Sequence, residues 1–390
     1  MKANSILLVI CILTVGGTVD IPARKLVENH GYPFEEHTIT TEDGNILTTQ
    51  RIPHGRYLDK SDKKPVLLVH GMGGCAENFI MLGPEKALAY QLADNGFDVW
   101  LMNTRGNFFS RKHQYLKPDS DTKFWEHSWH EIGFYDLPAN IDHILNVTNH
   151  KKLFYIGHSQ GGTIYYVLTS ERPEYNDKIQ MSATFGPAVF LHLNKNYMAT
   201  ILSDHIDVIE NFAKEFHMIE MFPPIVQLQV KMLCSPPHIP DMCFDSYLLI
   251  GGGGDLSKIN PMIIPLMFRS SPSGISVYQM LHYLQIVKSK KFQQYDYGVT
   301  RNLQKYNSSV PPKYNLRLST APVVNIYSLD DWFASERSVK YLSKQLPNAM
   351  EYKIPRKSFN HLDFIMADDV KQLVYDPLIN LFIKSLLNKK

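Results

Sequence analysis

Short apolar runs alternate with longer amphipathic segments through most of this chain. The apolar runs predict buried strands at 65–69, 97–102, 153–156, 322–327 and 350–354. Apolar positions at helical spacing predict helices at 85–95, 136–146, just after 160, at 335–346 and in the closing segment. Strands and helices that alternate in this way form a mostly parallel sheet with helices on both faces. The pattern therefore predicts an α/β fold.

Two regions depart from this alternation. Residues 37–41 and 46–52 alternate apolar and polar positions around Asp43-Gly44, which predicts a β-hairpin. Between 188 and 312 the strand–helix pattern stops, and helix-like apolar segments are broken by proline and glycine, as in 219–233, 259–268 and 277–287, with 251–254 as a flexible break.

We expect the interrupted region to be an inserted domain. Residues 20–187 and 313–390 would form the sheet domain, and 188–312 would form a largely helical cap above it. Several cap segments are unusually apolar, and two explanations stay open for them. They pack the cap on the sheet domain, or some of them line an acyl-binding cleft or meet a lipid surface.

The N-terminus predicts export. Lys2 precedes an apolar run at 6–15 and small residues at 16–18, which indicates a secretory signal peptide over 1–19. The run is too short to span a bilayer, and no other segment is apolar enough, so we expect no transmembrane anchor. The formal net charge of +2 gives no indication of a nucleic-acid partner. Secretion is the first expectation, with the lysosome as an alternative.

Export makes the cysteines candidates for disulfide bonds. Cys11 leaves with the signal peptide, and Cys234 and Cys243, which flank a short proline-rich loop, are the expected pair. Cys75 would then be a free thiol near the start of a helix. Asn146 and Asn307 each begin an N-glycosylation sequon.

The candidate chemistry centres on Gly157-His158-Ser159-Gln160-Gly161, which lies between a predicted strand and a predicted helix. Gly-x-Ser-x-Gly in that context is typical of a nucleophile elbow, in which a tight turn raises a serine hydroxyl above the sheet. Serine needs a base to take its proton and a carboxylate to orient that base. In the chain order Ser, acid, His, the final strand-end loop supplies His361, and the preceding one supplies Asp330 and Asp331.

Other polar residues compete for these roles. His70 and His158 adjoin glycines near the serine and are expected to orient the loops. His282 lies on a cap helix, where packing is the expected role. Asp363 is expected to hold the histidine loop. An oxyanion hole needs two backbone N–H donors, for which Gln160, after the serine, and Met72, after the first buried strand, are the candidates.

Longer motifs carry a resemblance to a known family. They include LLVHGM, NTRGN, FWEHSWHEIGFYDLPANID, YIGHSQGGT, SPSGISVYQMLHY and FNHLDF, which are spread from Gly31 to Phe364. In these segments the chain resembles the acid lipases, the gastric, lysosomal and insect branch of the α/β hydrolases. The resemblance implies an α/β-hydrolase fold, and hydrolysis of triacylglycerol or sterol esters at an oil–water or lipid-droplet interface without cofactor or metal.

The resemblance also implies roles for individual residues. Ser159 matches the nucleophile and His361 the base. Asp331, rather than Asp330, falls where the family has its acid. Met72 and Gln160 fall at the oxyanion donors, and Cys234 and Cys243 at a cap disulfide.

Two departures from the family pattern stand out. The acid loop YSLDDWFAS is bulkier than expected, and the glycine run 251–254 is unusual. Two other functions stay open, an esterase for short soluble esters and a lipid-binding protein without catalysis.

Overall fold

The computed structural model describes residues 22–57, 62–236, 239–252, 257 and 259–387. The predicted signal peptide at 1–19 lies outside these residues, as do parts of the proline-rich loop and of the glycine run. Within the described part of the chain, no helix has both the length and the apolar character needed to cross a membrane.

Nine strands of the described chain form one sheet in the order β1-β2-β4-β3-β6-β7-β10-β11, with β5 paired to β2. Strand β2 pairs antiparallel with each of its neighbours β1, β4 and β5. All the other pairs, from β4–β3 to β10–β11, are parallel. These strands are β1 (Glu35–Thr40), β2 (Asn45–Ile52), β3 (Lys64–Val69), β4 (Phe97–Met102), β5 (Lys112–His113), β6 (Leu153–His158), β7 (Ile179–Phe185), β10 (Val323–Tyr327) and β11 (Ala349–Lys353). A separate antiparallel ribbon contains β8 (Glu220–Met221) and β9 (Ile275–Ser276).

Helices cover the sheet and fill the region between β7 and β10. They are α1 (Ala23–Asn29), α2 (Leu88–Asp94), α3 (Trp129–Glu131), α4 (Leu137–Thr148), α5 (Gln160–Glu171), α6 (Tyr197–Asp204), α7 (Ile206–Glu215), α8 (Pro224–Leu233), α9 (Asp241–Gly251), α10 (Ile263–Ser270), α11 (Val277–Ser289), α12 (Val299–Tyr306), α13 (Glu336–Gln345), α14 (Asp363–Met366) and α15 (Asp376–Leu387). Short 3₁₀ segments include Ala76–Phe79, Thr122–Trp125, Pro173–Lys178, Leu191–Leu193 and Leu316–Leu318, and π turns lie at Ile132–Asp136 and Lys371–Tyr375.

Apolar side chains are buried on both faces of the sheet. Along β3, Val66 and Leu68 pack into one large apolar cluster, whereas Leu67 and Val69 pack into a second cluster on the other face. Both faces are covered because each parallel crossover brings a helix across the sheet. This explains why the central strands appear in the sequence as continuous apolar runs, and the predicted α/β fold is confirmed.

Some elements differ from the expectation. The sequence analysis did not identify β7, whose residues include the polar Ser182 and Thr184, both fully buried inside the sheet. The helix predicted at 136–146 begins earlier, at Trp129, and passes through a π turn before α4. The segment 219–233 divides into the ribbon strand β8 and helix α8, since Pro223 and Pro224 interrupt it.

The region expected to form a cap contains α6 to α12 and the β8–β9 ribbon. Cys234, at the end of α8, is bonded to Cys243 in α9 with a Cα–Cα distance of 5.9 Å. Among the hydrogen bonds that join this region to the flanking segments are two close to the predicted elbow. The Ser273 N–H donates to the Gly73 carbonyl at 2.7 Å, and the hydroxyls of Tyr283 and Thr163 lie 2.9 Å apart.

Candidate active site

Ser159 sits on a strained turn between β6 and α5. Its φ of 53° and ψ of −112° lie in a region that residues with a side chain rarely occupy. The surrounding backbone maintains this conformation, because the Ser159 N–H donates to the Phe185 carbonyl at 2.8 Å and the Ser159 carbonyl accepts from Gly162 N–H at 2.9 Å. The strained turn leaves Ser159 partly accessible at the carboxyl end of β6.

The two glycines of the motif are required by close backbone packing. A Cβ at Gly161 would lie 2.4 Å from the Val69 carbonyl oxygen, and a Cβ at Gly157 would lie 2.5 Å from the Gly161 carbonyl. Both separations are shorter than any tolerated contact, so a side chain at either position forces strand and helix apart. The spacing of the motif therefore follows from the proximity of β3, β6 and α5.

Ser159, His361 and Asp331 form a chain of hydrogen bonds. The Ser159 Oγ lies 2.7 Å from His361 Nε2, and His361 Nδ1 lies 2.7 Å from Asp331 Oδ2. Asp331 is fully buried and His361 is nearly so. In this arrangement the imidazole donates from Nδ1 to the carboxylate and presents its other nitrogen to the serine hydroxyl. A serine placed in this way can be deprotonated as it attacks a carbonyl carbon.

The two adjacent aspartates differ in their placement. Asp331 Oδ1 accepts the backbone N–H groups of Phe333 and Ala334, each at 2.8 Å, while its other oxygen meets His361. Asp330 is only partly buried. The geometry therefore brings Asp331, and not its neighbour, to the imidazole.

Besides His361, four histidines of the described chain are buried, and three of them, His70, His158 and His282, are candidates from the sequence. His158 Nε2 donates to the His361 carbonyl at 2.9 Å, and burial lowers the pKa of His158 to about 3. His70 lies 3.2 Å from the Thr104 N–H, and burial lowers its pKa to about 4. His282 stacks on Trp129 at 3.5 Å, with its pKa lowered to about 3 by burial. Neutral, bonded imidazoles of this kind hold loops and helices in place.

Asp363 lies two residues beyond the histidine in a network that braces its loop. Its Oδ1 accepts the Tyr247 hydroxyl at 2.6 Å, and its Oδ2 accepts the Asn360 N–H at 2.9 Å and pairs with Arg356. Burial raises the pKa of Asp363, while these partners oppose that shift. The sequence motif gave no indication of Tyr247, because its partner lies more than a hundred residues away.

The predicted oxyanion donors lie beside the serine. Gln160 is the first residue of α5, where backbone N–H groups have no partner within the helix. Met72 follows Gly71, at which an added Cβ would lie 3.0 Å from the Ser159 Cβ. Both residues thus lie on backbone segments that adjoin Ser159, and their N–H groups stay the predicted donors to the oxyanion that forms on the carbonyl oxygen of an attacked ester.

The remaining candidates are one free cysteine and two glycosylation sequons. Cys75 is buried with a free thiol, and burial raises its pKa to about 12. Asn146 on α4 and Asn307 at the end of α12 are both exposed. Among the residues that the structure describes, no group of three or more His, Cys, Asp or Glu side chains is placed to hold a metal ion.

A central parallel sheet that carries a serine on a strand–helix turn, with His and Asp on later strand-end loops, defines the α/β hydrolases as a class. The family model for the alpha/beta hydrolase fold matches residues 64–365, and that for the partial alpha/beta-hydrolase lipase region matches 23–83. The chain therefore belongs to the α/β-hydrolase family, in its lipase branch. This result confirms the resemblance drawn from the sequence motifs.

Individual relatives match over nearly the full length. Lipase 3 of Drosophila melanogaster is 39% identical over 386 residues, covering 97% of each chain. Lysosomal acid lipase/cholesteryl ester hydrolase of Homo sapiens is 36% identical over 92% of this chain and 90% of its own. Gastric triacylglycerol lipase of Bos taurus is 37% identical over the same shares. A solved structure of a putative lipase from Sulfolobus solfataricus shares the fold, with a TM-score of 0.58, 14% identity and coverage of 90% and 94%.

Proposed function

We propose that this protein is a secreted lipase that hydrolyses carboxylic ester bonds of neutral lipids through a covalent acyl-enzyme. The observation that carries the proposal is the continuous hydrogen-bonded chain from the Ser159 hydroxyl through His361 to Asp331. The names of the relatives support the substrate class, since they describe a triacylglycerol lipase and a cholesteryl ester hydrolase. Triacylglycerol, sterol esters or both would be substrates.

The proposed reaction has two half-reactions. Ser159 Oγ attacks the ester carbonyl while His361 Nε2 takes the hydroxyl proton, and the resulting oxyanion is held by the N–H groups of Met72 and Gln160. The carbon–oxygen bond to the alcohol then breaks, and the imidazolium returns the proton to the departing alkoxide. Water next attacks the acyl-enzyme with His361 as base, which releases the fatty acid and restores Ser159. Asp331 orients the imidazole and stabilises its charged form throughout.

We propose that residues 188–312 form a cap that meets the lipid. Support comes from the large apolar side chains that its helices leave in solvent, among them Val208 at 66% exposure, Phe216 at 62%, Met232 at 68% and Leu249 at 67%. A soluble protein rarely exposes so many apolar side chains in one region unless they meet an apolar partner. An oil–water or lipid-droplet surface is such a partner for a chain that acts on neutral lipid.

We also propose the secretory route for this chain. The predicted signal peptide at 1–19, the exposed sequons at Asn146 and Asn307, and the Cys234–Cys243 disulfide bond all fit an oxidising, glycosylating compartment. Secretion is the destination that we favour, with the lysosome as the alternative.

The proposal is tested with the purified mature chain on emulsified triolein, cholesteryl oleate and dissolved short-chain esters. We expect hydrolysis of the emulsified esters and covalent labelling by a fluorophosphonate, both lost in Ser159→Ala. Rates that are high only on dissolved esters would instead identify a soluble esterase. A wild-type protein that is neither labelled nor active would favour a lipid-binding protein without catalysis.

A further inference from the structure

The backbone of His361 is held from two sides. Its carbonyl accepts the Nε2 proton of His158, from the elbow itself, at 2.9 Å. Its N–H donates to the carbonyl of Gly251, the last residue of cap helix α9, at 3.0 Å. Because carbonyls in the last turn of a helix lack intrahelical partners, the Gly251 carbonyl is available to a residue outside the helix. One of the two backbone bonds of the proposed base therefore comes from the cap.

The end of α9 packs tightly against both strand-end loops of the site. A Cβ at Gly251 would lie 2.8 Å from Asn360 Nδ2, and a Cβ at Gly252 would lie 2.6 Å from the Trp332 Cβ. Asn360 precedes the base, and Trp332 follows Asp331. The first two residues of the unusual glycine run thus bring a helix end into direct contact with the loops that carry the imidazole and the carboxylate.

A buried side chain of the same helix strengthens this contact. Tyr247 is fully buried, and its hydroxyl donates to Asp363 Oδ1 at 2.6 Å. Asp363 in turn accepts the Asn360 N–H, and Asn360 Oδ1 accepts the N–H groups of Leu362 and Asp363 at 2.8 and 2.9 Å. These bonds close a tight turn around His361. Tyr247 therefore anchors the turn to α9 one helical turn before the Gly251 carbonyl reaches it.

We infer that the end of α9 positions the general base, with Tyr247 and the Gly251 carbonyl as positioning groups for His361. The inference rests on the proposed function, in which His361 removes the serine proton. Neither group touches the reacting atoms, and both act through the His361 loop. Displacement of α9 would leave the sheet intact but shift the imidazole relative to Ser159, and a shift of about 1 Å in a reacting group can lower a rate about 100-fold.

Two substitutions and two controls separate positioning from stability. Tyr247→Phe removes one hydroxyl and keeps the ring, and Gly251→Ala adds the Cβ that meets Asn360. Ser246→Ala changes a neighbouring position of α9, and Tyr295→Phe removes the hydroxyl of another buried cap tyrosine. For each protein, kcat and KM are measured on dissolved p-nitrophenyl butyrate, with active sites counted by phosphonate titration and the melting temperature recorded. A small dissolved ester needs no lipid contact from the cap.

We expect kcat per titrated site to fall about tenfold in Tyr247→Phe and about 10- to 100-fold in Gly251→Ala, with KM within about twofold of wild type. The controls should keep wild-type kcat. A kcat within twofold of wild type in Tyr247→Phe overturns the inference, whatever happens to the melting temperature. Should Gly251→Ala not fold, the near-isosteric Tyr247→Phe decides alone. Loss of activity in Ser159→Ala alongside normal Tyr247→Phe kinetics would refute the positioning and leave the proposed function standing.

Discussion

At the scale of single residues, the serine turn was predictable from sequence because its requirements are local. Gly157 and Gly161 are needed wherever a strand, a tight turn and a helix meet at these separations, so the motif reveals the geometry. The choice between Asp330 and Asp331 was not local. The two aspartates are adjacent in sequence, and what distinguishes Asp331 is its bond to His361, a residue 30 positions later in the chain.

The strain at Ser159 predicts a stability difference between two inactive variants. Ser159→Ala keeps a Cβ at φ 53°, whereas Ser159→Gly removes it. Backbone strain of this kind is worth about 1–3 kcal/mol, and the extra freedom of glycine in the unfolded chain offsets about 1 kcal/mol of that. We expect Ser159→Gly to unfold at higher denaturant concentration than Ser159→Ala. Equal midpoints in urea would show that the turn stores no strain.

The aspartate pair supplies a matched comparison of activity. Asp331→Asn replaces the acceptor that fixes the imidazole with a group able to donate, so the wrong nitrogen of His361 carries the proton. We expect kcat to fall by about 10³- to 10⁴-fold, as is typical when this carboxylate is lost. Asp330→Asn should stay within a few-fold of wild type on the same ester. Similar losses in both variants would contradict the assignment of the acid to Asp331.

At the scale of elements, Arg105 joins three of them. Its guanidinium is buried in the loop that follows β4, and it bonds Asp43 in the β1–β2 turn and Asp136 in the π turn before α4. Burial raises the pKa of Asp136 to about 6, and the Arg105 charge opposes that shift. The hairpin and the helix were predicted from periodicity. Their connection was not, since an ion pair between distant segments leaves no periodic pattern.

Removing this cation should be strongly destabilising. Arg105→Leu leaves the Asp136 carboxyl buried without its partner, and breaking one side of a buried ion pair costs about 3–5 kcal/mol. Lys288→Met breaks the exposed pair with Asp207, for which less than about 1 kcal/mol is expected. Urea unfolding at pH 7 measures both. Similar losses of unfolding free energy in the two variants would show that the buried ion pairs of Arg105 contribute no more stability than an exposed pair.

The boundaries of the elements between β7 and β10 show most clearly what the sequence could not predict. The sequence located strands β3, β4 and β10 within a residue or two. Each is a continuous apolar run, as expected for a central strand that is buried on both faces. Between β7 and β10, apolar residues pack in the interior in some helices and lie in solvent in others, so periodicity did not separate α8 from β8. The contact of Gly251 with the base loop depends on how α9 docks, which sequence spacing does not reveal.

At the scale of the whole molecule, buried histidines should make the free energy of unfolding depend on pH. Burial lowers the pKa of His70 and His127 to about 4 and that of His158 and His282 to about 3. The unfolded chain would protonate these imidazoles near pH 6.5, whereas the folded chain does not. The unfolded state therefore binds more protons in this window, and stability falls as the pH drops.

We expect the free energy of unfolding to decrease between pH 6.5 and about pH 4. Each histidine contributes up to about 1.4 kcal/mol per pH unit. Asp136 and Glu220 act in the opposite sense, because burial raises each pKa to about 6 and the folded state retains their protons. Because four imidazoles oppose these two carboxyl groups, we expect the net effect of acidification to be a loss of stability. Denaturant titrations at pH 7, 6 and 5 measure this decrease. His282→Gln removes one of the four imidazoles, so it should lower the slope of the unfolding free energy against pH by up to about 1.4 kcal/mol per pH unit. A stability that rises on acidification would contradict the expectation.

The order of the strands has a consequence for how activity arises during synthesis. β7 and β10 are neighbours in the sheet although the whole region 188–312 separates them in sequence. The elbow thus leaves the ribosome well before the segment that carries its imidazole. Under the proposed mechanism, a nascent or truncated chain has a serine but no base, and hydrolysis begins only when β10 and β11 have joined the sheet.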